Sequence, residues 1–432
     1  MPENLEKRLK RQIHGKLHRF TAIVPLGFEA TLVKELRQIG IIAENDAFET
    51  ADGKVSFTAK ITKAWKAVAY SRIANRVLMD IASFKAENFR DLEKKAVEIP
   101  WELFLPPVPV TPDTVPVHVT CKHSRLYHSD AVAERFYNVI SESNTLLCHA
   151  PLDGASPIHS NITPQHLYVS LLDNRCTVSF DLAGEELYKR GHQRFVNDAP
   201  LKETIAAAML FEAFEQVQSP ITLIDPMAGS GTFSLEAAYM ANGLIPGKCR
   251  DFALQHQPAF KEATWNYIVN SSLRKNDNSK LSLRGSEVTV AITCPIHKIL
   301  TSDISDKAIE IIRHNVECSP LAKIEPAPIA PQQKDFFSYT PEEIAKFRGE
   351  SQAVIVLNPP YGKRLDANAP KLYAEIGKKL SEFKGCTVAI LAPKGACTEK
   401  LLKNCAALGL ASTKVIKTSH GGISLNCFVG KI

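Results

Sequence analysis

Short apolar runs alternate regularly with longer segments of helical periodicity over the second half of the chain. The runs predict strands at 221–225, 299–303, 354–358 and 387–392. The segments that follow them predict helices at 232–242, 305–318, 370–383 and 398–408. Because the strands are continuously apolar and separated by helices, we expect a parallel sheet covered on both faces. Two last runs, at 414–418 and 423–429, flank Gly421 and Gly422 and predict an antiparallel hairpin at the sheet edge.

The first half of the chain has shorter elements and no such regular alternation. Its pattern predicts strands at 20–24, 55–58 and 115–120, a hairpin of 167–172 with 177–182, and helices at 26–39, 63–78, 130–140 and 200–216. Six prolines between positions 100 and 116 are incompatible with a helix or a central strand and mark a connector. We therefore expect small α+β modules before the parallel sheet.

Charge and composition add a weak preference for polyanions. The 432 residues carry 52 Lys and Arg against 46 Asp and Glu, a net charge of +6. Six of these cations and only two acids lie in the first twenty residues. A basic arm of this kind favours a polyanion, although a solvated, frayed terminus would have the same composition.

Several classes of protein are excluded by the same composition. Ten cysteines without paired CxxC spacing predict reduced thiols and a cytoplasmic location. Cys294 and His297 lack a second ligand pair at matching spacing, so we expect no metal site. The sequence has no apolar run of eighteen residues and no apolar signal segment before Thr21, so we expect neither a membrane span nor a secretion signal.

Two loops at the ends of predicted strands carry the candidate chemistry. The first, LIDPMAGSGT at 223–232, is an apolar strand followed by an acid and a turn of small residues that opens onto a helix. Glycines allow a ligand to approach the backbone, and open α/β sheets bind ligands at the carboxyl ends of their strands. A tight structural turn is the alternative. The loop lacks the Gly-Lys-Ser/Thr of a phosphate-binding loop and the full GxGxxG pattern.

The second loop, NPPYG at 358–362, ends a buried strand. Pro359 and Pro360 stiffen it, and they leave the Asn358 side-chain oxygen and the Pro359 carbonyl as fixed acceptors. A planar amino group can donate its two hydrogens to these oxygens while its ring stacks on Tyr361. A structural Pro-Pro turn with a packed tyrosine is the alternative interpretation.

Together the two loops resemble a class I S-adenosylmethionine-dependent methyltransferase acting on an exocyclic amine. The stretches PLGFE at 25–29, SRIANR at 71–76, APLKET at 199–204, PGKCR at 246–250 and NPPYGKRL at 358–365, with Trp265, are similar to THUMP-containing RNA methyltransferases of the RlmL type. That type makes N2-methylguanine in large-subunit (23S) ribosomal RNA. The resemblance implies a basic arm at 1–19, a ferredoxin-like module at 20–65, a THUMP RNA-binding domain at 66–185 and a Rossmann-like methyltransferase domain with a C-terminal antiparallel hairpin at 186–432.

The resemblance also implies residue roles. Around S-adenosylmethionine it places Asp225, Gly229, Ser230, Gly231 and Thr232 at the methionine end, Pro200 to Thr204 closing over it, Asp303 on the ribose hydroxyls and Asp335 on the adenine. Asn358, Pro359, Pro360 and Tyr361 would hold the reacting amine. Dinucleotide folds place the acid about 20 residues after the glycines, whereas Asp303 follows Gly231 by 72 residues. A long insertion separates them, and its part at 272–296 has no role that we can assign.

The expected reaction is direct, in-line methyl transfer to guanine N2 of a base flipped out of structured RNA, such as ribosomal RNA or a pre-ribosomal particle. A tRNA guanine-N2 methyltransferase, adenine N6 as the acceptor, and a catalytically silent ribosome-assembly factor stay open as alternatives. Relatives of the RlmL type sometimes carry a second methyltransferase fused at the C-terminus. Because this sequence stops after the hairpin, at Ile432, we expect a single activity here. Candidate phosphate contacts are Lys122, Arg125, Lys189, Arg190, Arg194, Lys363 and Arg364.

Overall fold

The computed structural model describes residues 4–107, 109–148, 163–196, 200–218, 220–270, 296–361 and 368–432. The chain divides into two compact units. The first unit comprises Met1–Ile23, Gly40–Leu187 and Cys249–Glu287. The second unit comprises Val24–Ile39, Tyr188–Lys248 and Val288–Ile432. None of the helices in these described ranges is long and apolar enough to cross a membrane.

The described residues form the following α-helices and β-strands. The helices are α1 Leu5–Leu9, α2 Glu29–Gln38, α3 Ile61–Tyr70, α4 Phe89–Val97, α5 Ser129–Cys148, α6 Glu203–Phe214, α7 Thr232–Ala241, α8 Glu262–Asn270, α9 Asp306–Glu317, α10 Pro341–Arg348, α11 Ala369–Leu380 and α12 Ala396–Asn404. The strands are β1 His18–Ile23, β2 Phe48–Ala51, β3 Lys54–Ala59, β4 Arg76–Lys85, β5 Val117–Lys122, β6 Leu167–Leu172, β7 Arg175–Asp181, β8 Ile221–Asp225, β9 Ile296–Asp303, β10 Gln332–Gln333, β11 Gln352–Leu357, β12 Thr387–Pro393, β13 Lys414–His420 and β14 Ile423–Lys431.

The first unit contains a mixed sheet with the strand order β2-β3-β1-β4-β7-β6-β5. Neighbouring strands are antiparallel except for the parallel pair of β5 and β6. Alternate residues of β6, such as Leu167 and Val169, are buried in a core shared with Leu92 of α4 and Phe136 of α5. This alternation follows from the two-residue period of a strand. On the opposite side of β6, Tyr168 is half-buried, and Ser170 and Leu172 are exposed.

The second unit contains the predicted α/β sheet, with the strand order β10-β9-β8-β11-β12-β14-β13. Strands β10 through β12 of this order run parallel, and β14 pairs antiparallel with both β12 and β13. Tyr373 and Ile376 of α11 and Leu401 of α12 pack on β11 and β12 in one buried cluster. The parallel strands bring the carboxyl ends of β8, β9 and β11 to the same edge of the sheet.

Most predicted elements of the second unit agree with the structure, whereas two predictions at the start of the chain are wrong. The predicted helix 63–78 ends at Tyr70, because the Ser71 hydroxyl accepts the Ala74 N–H at 2.9 Å and starts a turn. Leu78 instead lies in β4, between β1 and β7. The alternative of a frayed terminus is also wrong from residue 4 onward, since α1 forms there and Ile13 is buried.

Helix α2 belongs to the second unit although the sequence predicts it within the module 20–65. The buried Thr31 hydroxyl of α2 donates to the Glu212 carboxylate of α6 at 2.5 Å. Lys34 of α2 pairs with Glu215 at the end of α6. The predicted division of the chain at 1–19, 20–65, 66–185 and 186–432 stays a prediction.

Candidate active site

A cavity of about 260 Å³ lies at the carboxyl ends of β8, β9 and β11. It is close to the lower end of the roughly 300–1,000 Å³ usual for small-molecule sites. Loops from all three strands contribute to its walls. The lining residues are Pro226, Met227, Gly229, Asp303, Ile304, Ser305, Ala308, Asp335, Phe336, Asn358 and Pro360. A concave surface therefore lies at the edge of the sheet where the sequence predicts the site.

The loop after β8 is shaped by two glycines with positive φ. Gly229 and Gly231 have φ of 57° and 78°, which side chains with a Cβ rarely adopt. A Cβ on Gly231 would also lie 3.0 Å from the Ile312 side chain of α9. The Gly231 N–H donates to the Ala228 carbonyl at 2.7 Å and closes the turn from which α7 begins. The glycines thus let the backbone of this loop form one wall of the cavity.

Asp303 joins this loop to the next one. Its Oδ2 accepts the Gly229 N–H at 2.8 Å, and its Oδ1 accepts the Ser305 N–H at 2.9 Å. A carboxylate has about four lone-pair positions, so these two bonds leave it able to accept more hydrogen bonds from a ligand in the cavity. Asp303 therefore fits the predicted role of binding ribose hydroxyls. Despite the long insertion before β9, this strand, which ends at Asp303, pairs directly with β8.

Asp225 does not line the cavity, in contrast to the expectation for the methionine end of the cofactor. Its side chain is buried, and its Oδ2 accepts both the hydroxyl of Ser234, at 2.7 Å, and the Ser234 N–H, at 3.2 Å. Burial raises the pKa of Asp225 to about 7. Asp225 holds the first turns of α7 and does not line the cavity. Nor do Pro200, Thr204, Ser230, Gly231 and Thr232.

Asn358 brings an unsatisfied acceptor to the cavity. Its Oδ1 is buried and has no hydrogen-bond partner among the residues that the structure describes. An unpaired buried acceptor costs about 1–3 kcal/mol, which a donor on a ligand would recover. Asn358 and Pro360 line the cavity, so the oxygen is located where the sequence predicts the reacting amine.

Tyr361 has a partner that sequence reasoning missed. Its hydroxyl lies 3.0 Å from Nδ1 of His420, the last residue of β13, and the two rings meet edge to face. The only signal for His420 was its position beside the Gly421-Gly422 turn of the predicted hairpin. This contact positions the tyrosine of the Asn-Pro-Pro-Tyr loop.

The residues around the cavity fit a nucleoside-containing cofactor. Asp303 supplies the acceptors that a ribose diol needs, and Ile304 and Phe336 supply apolar walls for a flat ring. Ile304 is 67% exposed where it lines the cavity, so its side chain is accessible to a ligand. Asp335 is held in place because its Oδ1 accepts the Phe337 N–H at 3.1 Å. Ile304 and Ser305 were not predicted, although they directly follow the predicted acid Asp303 in the chain.

Two of the predicted RNA contacts are wrong. Arg190 is buried and forms a two-bond ion pair with Glu236 of α7, at 2.9 and 3.0 Å. Arg194 pairs with Glu203 and donates to the Thr232 hydroxyl at 2.5 Å, and burial lowers the pKa of Arg194 to about 10. Neither guanidinium is free for a phosphate; Arg190 fastens its segment to α7, and Arg194 fastens it to the start of α6 and to the start of α7. Lys363 and Arg364 lie outside the described residues.

We expect the Arg190→Met variant to have a lower free energy of unfolding than the wild type, and we do not expect it to lose RNA contacts. Removing one partner of a buried ion pair typically costs about 3–5 kcal/mol, because the Glu236 carboxylate stays buried without its counterion. The free energy of unfolding, from urea titration, measures this. Arg190→Met with Glu236→Leu should lose less than the single variant, and the exposed Lys248→Met should change stability little. Normal stability with weakened RNA binding would favour the phosphate role.

Among the described residues, no group of three or more His, Cys, Asp or Glu side chains is arranged to hold a metal ion.

Comparison with protein families gives two matches along the chain. The UPF0020 model, an RMKL-like methyltransferase domain, matches residues 190–424. The model of the RlmL ferredoxin-like domain matches residues 19–78. The first match covers more than half of the chain and includes the cavity and both candidate loops.

Individual relatives agree with these matches. The ribosomal RNA large subunit methyltransferase K/L of Allochromatium vinosum is 30% identical over 94% of this chain and 50% of its own length. The putative RNA methyltransferase slr0064 of Synechocystis sp. is 27% identical over 94% of both chains. The chain thus spans about half the length of the K/L relatives that it matches.

A solved structure shows the same fold. SMU.472, a putative methyltransferase in complex with S-adenosylhomocysteine (SAH), superposes with a TM-score of 0.73 at 24% identity, covering 96% of this chain and 98% of its own. The predicted α/β fold class is thereby confirmed, and so is S-adenosylmethionine as the methyl donor of the family. Since the matching family model spans the candidate site and most of the second unit, the chain belongs to the RMKL-like methyltransferase family.

Proposed function

We propose that this protein transfers a methyl group from S-adenosylmethionine to the exocyclic N2 amine of a guanine in large-subunit ribosomal RNA. The observation that carries the proposal is the buried Oδ1 of Asn358 at the cavity wall, which has no hydrogen-bond partner in the described part of the chain. This oxygen can accept a hydrogen bond from a ligand donor such as an aromatic amino group. The K/L relatives, which are named as ribosomal RNA large subunit methyltransferases, support RNA as the substrate.

The cofactor would be held by residues of three loops. Asp303 would accept hydrogen bonds from the ribose, Ile304 and Phe336 would enclose the adenine with Asp335 at its edge, and the Gly229 backbone would face the methionine part. When bound, S-adenosylmethionine supplies an electrophilic methyl group on a sulfonium. The protein therefore needs no covalent intermediate and has mainly to position the nucleophile, about 3–3.5 Å from the carbon that it attacks.

The Asn-Pro-Pro-Tyr loop would orient the amine for attack on the methyl group. The lone pair of guanine N2 is delocalised into its ring, which makes it a weak nucleophile. Accepting its hydrogens at Asn358 Oδ1 and at the Pro359 carbonyl would orient the nitrogen and stabilise the positive charge that develops on it. Tyr361, fixed by His420, would stack on the base. A guanine can reach this cavity only if it is flipped out of its helix.

The proposed partner is structured RNA in the cytoplasm. The cysteines whose side chains are described are free thiols, which suits a reducing compartment. Lys363 and Arg364, next to the substrate loop in sequence, are proposed phosphate contacts.

Nucleoside mass spectrometry tests the proposed product. The purified protein is incubated with isotopically labelled S-adenosylmethionine and either large-subunit ribosomal RNA or tRNA, both from a strain lacking the gene. We expect labelled N2-methylguanosine in the ribosomal RNA. Label in tRNA alone would overturn the choice of RNA, and label in N6-methyladenosine would overturn the choice of base. If the protein neither labels RNA nor binds S-adenosylhomocysteine, the proposed activity is wrong.

A further inference from the structure

Asn315 is a fully buried polar residue on α9 that takes no part in the proposed reaction. The inner face of α9 is otherwise apolar, with Ala308, Ile309 and Ile312 buried. Asn315 follows Ile312 by three residues and so lies on the same face of the helix, where the pattern predicts another apolar side chain. Burying an amide is unfavourable unless its hydrogen bonds are made, so the partners of Asn315 indicate what it does there.

The Asn315 side chain joins two loops through their main chains. Its Oδ1 accepts the Phe195 N–H at 2.8 Å, and its Nδ2 donates to the Phe195 carbonyl at 2.9 Å. The same Nδ2 donates its second hydrogen to the Ser230 carbonyl at 3.2 Å, so both amide hydrogens are used. Asn315 therefore ties residues 190–196, which we call the arginine segment, to residues 226–231, which we call the glycine loop.

The Ser230 carbonyl lies at a conformationally permissive part of the glycine loop. Gly229 and Gly231 flank Ser230, and residues without a Cβ restrict the rotation of neighbouring peptide groups less than other residues do. A hydrogen bond to the carbonyl selects one orientation of the peptide group between Ser230 and Gly231. Because Gly229 of the same loop lines the cavity, this orientation affects the wall that a bound cofactor would contact.

Arg194 makes a second connection between the same two segments, of a different kind. Its guanidinium donates to the Thr232 hydroxyl at 2.5 Å and to the Ser230 hydroxyl at 3.3 Å. These bonds hold side chains, whereas Asn315 holds the main chain of the loop. Arg194 therefore cannot replace the bond from Asn315 to the Ser230 carbonyl.

We infer that Asn315 is a positioning residue for the cofactor, acting through the Ser230 carbonyl to keep the glycine loop in the conformation that binds S-adenosylmethionine. Asn315 itself does not line the cavity. The inference rests on the part of the proposed function that places the cofactor against the Gly229 backbone. It does not depend on guanine as the acceptor or on RNA as the substrate.

Titration calorimetry of the full chain with S-adenosylhomocysteine tests this role. We expect Asn315→Ala to raise the Kd by about 5- to 100-fold, because the loop loses a buried hydrogen bond that ligand binding must then replace. The stability control is Leu401→Ala on α12, which removes a fully buried side chain of the second unit. That variant should also unfold at lower urea concentration, but it should bind S-adenosylhomocysteine with the wild-type Kd.

Asn315→Asp gives a result that a loss of stability alone would not produce. An ionised carboxylate can accept the Phe195 N–H, but it places a negative oxygen against the Phe195 and Ser230 carbonyls, to which Nδ2 donates in the wild type. The protonated carboxyl group has one O–H and can donate to one of them. The Kd of this variant, divided by that of the wild type at the same pH, should therefore fall as the pH is lowered. The charged and titratable groups of the neighbouring segments are the same in both proteins: Arg194, Glu203, Asp225, Asp303 and His314.

Hydrogen exchange of the ligand-free protein supplies a measurement that needs no cofactor. Asn315→Ala should speed exchange in peptides that cover the glycine loop and the arginine segment, and it should leave peptides from α11 and α12 unchanged. General destabilisation would instead speed exchange in all of these peptides.

The outcomes separate this inference from the proposed function. A wild-type Kd in Asn315→Ala, an equal loss of affinity in Leu401→Ala, or a Kd ratio for Asn315→Asp that does not change with pH would overturn the inference even if the protein methylates ribosomal RNA. If Asn315→Ala loses affinity as expected while the wild type binds S-adenosylhomocysteine and labels no RNA, the positioning role is supported and the proposed function fails.

Discussion

Asn358→Ala is expected to lower kcat for methyl transfer by about 10²–10³-fold, the loss seen when one preorganised hydrogen-bonding group for a transition state is removed. The reason is that Asn358 Oδ1 is a buried acceptor without a partner among the described residues. It can therefore form its hydrogen bond only when a donor enters the cavity. Single-turnover methylation at saturating RNA measures the effect on chemistry without a contribution from RNA affinity.

Two further measurements distinguish this role from a structural one. Removing an acceptor that is already unsatisfied should not destabilise the fold, so the urea midpoint of Asn358→Ala should equal or exceed that of the wild type. Asn358→Asp keeps the acceptor oxygens and should retain more activity than the alanine variant. A kcat close to the wild-type value in Asn358→Ala would show that the loop does not orient the amine.

Asp303→Ala is expected to raise the Kd for S-adenosylhomocysteine by about 10- to 100-fold. Hydrogen bonds to a charged group contribute about 1.5–3 kcal/mol each, and about 1.4 kcal/mol corresponds to a tenfold change in Kd. The substitution also releases the Gly229 and Ser305 N–H groups, so the wall formed by the loop after β8 loses its anchor. Titration calorimetry measures the Kd directly.

The matched control for Asp303 is Asp306, an exposed acid three residues further along the chain. Asp306→Ala removes the same charge near the cavity without removing a cavity contact, and it should bind the cofactor product normally. Equal losses in the two variants would mean that general electrostatics, rather than the position of Asp303, favours the ligand.

The features that could be predicted from the sequence are those set by local pattern. Strand β8 has the predicted bounds, because a continuously apolar run ends at an acid and a glycine turn. The positions of Asp303 and Asn358 at one edge follow from parallel strands alone. Predicting the place of the cavity also required no long-range information beyond this parallel arrangement of strands.

The errors arose where a distant partner decides the role of a residue. Arg190 and Arg194 form a basic cluster in the sequence, but Glu236 lies 46 residues further on and takes Arg190 out of solvent. Asp225 was expected to face the ligand, because nothing in the sequence shows that Ser234 turns its carboxylate towards α7. Strand β4 forms between β1, which ends at Ile23, and β7, which begins 152 residues later at Arg175, so local periodicity alone favoured a longer helix.

The placement of α2 in the second unit has a consequence for how such genes can recombine. Thr31 and Glu212 form one buried hydrogen bond across 181 residues of chain. A crossover between two homologous genes anywhere from the codon of Thr31 to that of Glu212 would draw these two residues from different parents. Exchange of the N-terminal part of the chain between relatives is therefore constrained to carry α2 and α6 from the same ancestor.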